Sequence, residues 1–138
     1  MKIWKNAVLF YIGGCGYIAL ELLFRGRSHG SMFLAGGACF LLVGLLGRAQ
    51  PRLPGLLLPL AGAMVITTVE LAVGLAVNRD WTVWDYRNQW GNFCGQICPL
   101  FTLLWIPVSR LAMGIYETLE PKLPDRPQPQ LSLKEMKG

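Results

Sequence analysis

The sequence predicts an all-α integral membrane bundle of four transmembrane helices, built as two tandem helical hairpins. Three observations predict it. Of the 138 residues, 53% are hydrophobic and 15% charged, with a mean hydropathy of +0.40; soluble domains carry about 25% charged residues. The apolar residues come in blocks of roughly twenty, the length a helix needs to cross a bilayer. A glutamate and then a Gly-x-x-Cys stretch recur in the same order in both halves of the chain.

The first span covers about residues 7–24 (AVLFYIGGCGYIALELLF), close to the short limit for a crossing. Its start, Met1-Lys2-Ile3-Trp4-Lys5, has the look of a signal peptide. No small-residue cleavage site follows, however, and Glu21, Arg25 and Arg27 stand where one would lie, so a retained helix is expected. The second span covers about 31–47, and the short Arg25–Gly30 connection makes a tight hairpin of the first pair. The third covers about 54–77 and the fourth about 93–115, completing a transmembrane domain over residues 1–120. The remainder, 121–138 (PKLPDRPQPQLSLKEMKG), is rich in Pro, Gln and Lys. It cannot bury a core and reads as a flexible, solubilising cytoplasmic tail.

The net charge of +5 fits a membrane topology better than a nucleic-acid partner. With four spans, both termini share a side with the middle loop. That side collects Lys2, Lys5, Arg48, Arg52, Arg110, Lys122, Arg126, Lys134 and Lys137, against Arg25, Arg27, Arg79 and Arg87 on the other. The positive-inside rule then places both termini in the cytoplasm.

In the repeat, Thr67–Gly74 (TTVELAVG) aligns with Tyr17–Phe24 (YIALELLF), which sets Glu70 on Glu21. Cys94–Leu100 (CGQICPL) aligns with Ala35–Leu41 (AGGACFL), which sets Cys98 on Cys39. Parallel repeats of this kind occur in transporters, with sites at the repeat interface; duplication without transport explains the pattern equally well. The cysteines 15, 39, 94 and 98 lack zinc spacing, and an i, i+4 pair such as Cys94 and Cys98 makes a poor disulfide, so all four read as packing residues. No metal site and no cofactor are expected.

Ionisable residues inside a span are costly and mark functional candidates. Glu21 and Glu70 lie near the outer ends of the odd-numbered spans, and Arg25 can pair with Glu21 at i, i+4. The connection after the third span, WTVWDYRNQWGNFCGQIC from Trp81 to Cys98, lies on the same side. Asp85, Arg87, Asn92 and Gln96 are candidates to fold over the glutamates as a polar ligand-binding lining, with Gln96 entering the fourth span. Trp81, Trp84, Tyr86 and Trp90 form an aromatic lid or an interfacial belt. The belt suits Trp81 and Trp90, whereas Trp84-Asp85-Tyr86 is more specific, because a belt needs no aspartate between its rings. Two close glutamates would share a proton. In the structural alternative, Glu21–Arg25 and a Glu70–Arg87 or Glu70–Gln96 contact merely pin the hairpins together. His29 reads as a loop residue, and the many glycines read as close-packing positions.

The chain has no Walker motif, so it cannot itself power transport with ATP, and no Gly-x-Ser-x-Gly or His-Glu-x-x-His motif, so it is not expected to be an enzyme. Three segments, Arg25–Leu46, Thr67–Asn78 and Val83–Trp105, resemble a family of small bacterial membrane proteins, the ABC-transporter permeases of the CmpB type. The order Trp84-Asp85-Tyr86, Asn92, Gly95–Cys98 is the most specific part. The Asn-Arg-Gly…Pro-Ile-Tyr-Gly motif of many members is missing from the first half. The resemblance implies a multi-pass protein of the bacterial cytoplasmic membrane and a role as a transporter component or permease. A holin-like pore former and an accessory subunit of a larger membrane complex are the rival readings. The partners expected are the lipid bilayer and either further copies of the chain or another membrane subunit.

Overall fold

The structure, a computed structural model, describes residues 3–26, 28–49 and 53–124, with the side chains of residues 24 and 25 outside that description. The described residues form helices α1 (Ile3–Arg25), α2 (Gly30–Ala49), α3 (Leu57–Val77) and α4 (Pro99–Leu119), followed by a 3-10 turn at Glu120–Lys122. All four helices are long and apolar enough to cross a membrane, so the fold is the predicted all-α bundle. Helices satisfy their own backbone polar groups, which a lipid environment requires. Of the expected tail, residues 121 and 122 belong to that turn, and 123 and 124 follow it without regular structure. The rest of the expected tail, 125–138, and Arg27 lie outside the described residues.

α1 packs chiefly on α2, and α3 on α4, giving two hairpins joined because α2 also touches α3 and α4. Small residues set the spacing. A Cβ on Gly13 would collide with Phe40, one on Gly36 with Tyr17, and one on Gly44 with the Tyr116 ring. At the α3–α4 contact, Gly62 faces Ser109, whose buried hydroxyl has no hydrogen-bond partner among the described residues. The middle of the bundle is filled by Cys39, Val43, Ile66 and Met113. Toward the end that holds the start of α1 and the finish of α4, Leu9, Phe40 and Tyr116 pack together. There Glu120 accepts from Lys5 Nζ at 3.3 Å and from Arg48 Nη1 at 2.8 Å, tying the first, second and last elements.

Two boundaries differ from the sequence reading in a way that matters. α3 starts at Leu57, because Pro54 and the left-handed Gly55 (φ 55°) make a turn first. α4 starts at Pro99, with Pro in the first turn where its missing N–H is harmless. Residues 93–98 therefore belong to the connection, closed by a bridge between Phe93 and Ile97. Left-handed φ values at Cys94 (54°) and Gly95 (66°) prevent a helix there, so Cys94 and Cys98 share no helix face and Gln96 is not in a span.

The glycine contacts give a paired test. Gly36→Leu should overpack α1 against α2, at a cost of about 1–3 kcal/mol. Gly16→Leu, whose Cβ meets nothing within 4 Å, should keep the wild-type melting temperature in detergent. Thermal unfolding of both variants beside wild type measures the contrast.

Candidate functional site

The connection between α3 and α4 folds into a plug. Asn78, fully buried just after α3, organises it. Its side-chain oxygen accepts from the backbone N–H of Val83 (2.8 Å) and Trp84 (3.2 Å). Its side-chain nitrogen donates to Trp84 O (2.7 Å) and to Gln96 Oε1 (2.9 Å). Gln96 Nε2 donates back to Asn78 O at 2.9 Å. The two amides thus form a reciprocal clasp, in which each polar atom of both side chains has a partner. Gly74, one turn before Asn78, makes room, since a Cβ there would strike Gln96 Oε1.

The clasp turns Trp84 and Tyr86 inward. Both are buried and pack with Met32 and Cys98 as the outer cluster of the core. The Trp84 indole donates to Gln96 O at 2.9 Å, and Tyr86 stacks on Phe101 with centroids 4.5 Å apart. Side chains on a helix lean toward its N-terminus. Glu70 therefore reaches down α3 into the bundle, and the lid reaches down to meet it. The Tyr86 hydroxyl donates to Glu70 Oε1 at 3.4 Å, and Trp105 Nε1 donates to Glu70 Oε2 at 3.2 Å. Glu70 is 5% exposed. Tyr17 of α1 completes the surroundings, its ring 5.8 Å from that of Trp105 and within electrostatic reach of Glu70 and Glu21.

The other sequence candidates are distributed differently from expectation. Glu21 is half-buried and lines a separate cavity of about 160 Å³ with Ser28, His29, Met32, Thr82 and Val83. Arg25 ends α1, and its side chain is outside the described residues. Neither Arg87 nor Gln96 makes the expected contact with Glu70: Gln96 is held by Asn78, and Arg87 grips Asp85 at 2.9 and 2.7 Å. Arg87 also lies over the Trp81 ring, 4.3 Å from its centroid, which draws Trp81 into the lid. Its side chain is 54% exposed, so the pair sits on the outer face instead of folding over the glutamates. Asn92 fastens a turn, donating to Gln89 O and accepting from Gly95 N–H. Trp90 is 86% exposed, in keeping with a belt position. Sequence reasoning missed Asn78, Tyr17 and Trp105. Asn78 had a signal, as a buried-size amide closing a span, whereas the two aromatics looked like ordinary span residues.

The chain matches the family described as Putative ABC-transporter type IV (CmpB) over residues 8–131. It belongs to this family. No curated protein and no solved structure matches it. For a member of a transporter family, residence in the membrane follows from the four apolar helices.

Removal of the clasp is the direct test of how the lid is held. Asn78→Ala leaves several buried groups without partners, each worth about 1–3 kcal/mol. It should lower stability by on the order of 3 kcal/mol and raise hydrogen exchange at Val83 and Trp84, read by mass spectrometry. The surface pair has a pH signature instead. The guanidinium and backbone N–H of Arg87 hold the Asp85 carboxyl below its usual range. A depressed carboxyl contributes stability above its unfolded value, about 3.9, and loses it as pH falls through the lowered value. The melting-temperature gap between wild type and Asp85→Asn, small because the pair is exposed, should stay constant from pH 8 to roughly 5 and close below roughly 4.

Proposed function

We propose that the chain is the membrane-embedded component of a transporter, with an outward-facing polar site centred on Glu70 and both termini in the cytoplasm. One observation carries this reading: a carboxylate buried within a span, gripped by an aromatic donor from the lid and another from α4. Such groups are costly in a membrane and concentrate on solute and ion paths. The lid, closing over the carboxylate through Tyr86, is the element whose displacement would expose it. Family membership supports the transporter role, and the excess of Lys and Arg on the side of the termini supports their cytoplasmic placement.

Two partners follow from this reading. The sequence has no Walker motif, so a separate ATPase would supply the energy. The bundle interior is filled by Val43, Ile66 and Met113, so a transport path would form against a second copy or another membrane subunit. The lid contacts also favour a purely structural role for Glu70, as the post that keeps the plug seated, and one variant separates the two. Uptake of a panel of labelled solutes should rise in cells expressing the wild type with its partners. Glu70→Gln should cut that uptake at least about tenfold, a change worth roughly 1.4 kcal/mol, without changing the amount or oligomeric size of purified protein. An unchanged uptake with an earlier melting transition would make Glu70 structural.

A further inference from the structure

α1 and α4 touch at their ends and part between them. At one end Lys5 meets Glu120 of the turn that follows α4, and at the other the Tyr17 ring meets that of Trp105. Between these closures lies a cavity of about 280 Å³, walled by Ile12 and Gly16 of α1, Phe40 and Val43 of α2, and Val108 and Ala112 of α4. It lies within the lengths of the helices that can cross a membrane, and its rim residues Leu111 and Ile115 are exposed on the surface of the bundle. Gly16 leaves its α1 wall low, with nothing within 4 Å of a would-be Cβ. The long walls are aliphatic, and the end at Tyr17 and Trp105 is aromatic. Tyr17 and Trp105 present aromatic rings to the slot, and Trp105 is hydrogen-bonded on its far side to the Glu70 carboxylate.

That end has the chemistry of a cation site. Aromatic faces attract ammonium groups, most strongly where water is excluded. A carboxylate that accepts from the indole N–H pushes electron density into the ring and adds its own negative charge behind it. Glu70 is also bonded by Tyr86, so the lid and the Trp105 that lines the slot share one carboxylate. We propose that the slot between α1 and α4 binds a single-chain amphipathic organic cation, its ammonium group against Tyr17 and Trp105 and its alkyl chain along the apolar walls. This deepens the transporter reading, on which it rests for the ligand being a substrate, by naming the substrate class. A free alkylammonium fits better than a phospholipid. The volume is near the lower end of small-molecule pockets, about 300 Å³, which suits one chain, and the slot's lining includes no cationic side chain to meet a phosphate.

Equilibrium binding of radiolabelled dodecyltrimethylammonium to the purified full chain in maltoside micelles tests this, with empty micelles as the blank. Saturable binding is expected, displaced at least about tenfold less well by dodecanol, and by dodecyl sulfate, than by the unlabelled cation. Glu70→Gln should erase the preference for the cation. Gly16→Leu, which fills the slot from α1 without touching Glu70 or the lid, should abolish saturable binding while keeping the wild-type melting temperature. Equal displacement by the neutral chain, displacement by phosphatidylcholine as effective as by the cation, or undiminished binding to Gly16→Leu would each overturn the proposal. Specific binding without uptake of the cation by cells would leave this site standing and overturn the transporter reading instead. Uptake of some other solute, with no saturable binding of the cation, would do the reverse.

Discussion

A carboxylate inside a bilayer must be given donors, and much of the lid end of this bundle is arranged around that requirement. Glu70 takes one from Trp105 on the neighbouring helix and one from Tyr86 on the lid. Tyr86 can reach it only because the connection turns inward at Trp84, and that turn exists because Asn78 and Gln96 satisfy each other and the backbone around them. Gly74 in turn gives the clasp its space. A chain of local necessities thus runs from one missing side chain on α3 to the environment of one charge.

The two ends of the bundle solve the same electrostatic problem by different chemistry. Glu120 meets full positive charges, Lys5 and Arg48, just past the end of the last helix. Glu70, deeper in the bundle, meets aromatic donors that carry large apolar bodies. A ring with one polar atom can line a hydrocarbon region and still donate, which an arginine could do only at a high desolvation cost.

The four spans were legible because apolar length is a strong signal, and Glu70 because a charge within such a length stands out. The start of α4 was not. Phe93-Cys94-Gly95-Gln96-Ile97-Cys98 has the hydropathy of a helix, and only the left-handed backbone at Cys94 and Gly95 keeps it from being one. The polar partners were misassigned for a related reason. Asp85 and Arg87, two apart, can satisfy each other locally, so neither is needed by a distant glutamate. Tyr17 and Trp105 owe their role to helix packing across the whole chain, which no short window reveals. The inward pair Trp84 and Tyr86, by contrast, was marked by the aspartate between them, which faces the water as they face the core.

The tie between Lys5 and Glu120 has a consequence for biosynthesis. The residues it joins lie 115 positions apart, near the beginning and the end of the described chain. α1 leans mainly on α2, so the first hairpin can pack as soon as it leaves the ribosome. Its lysine, however, meets Glu120 only after every later described helix has been made. This contact therefore forms only once α4 has been made, so closure of that end of the bundle is a late event that joins the first described helix to the turn after the last.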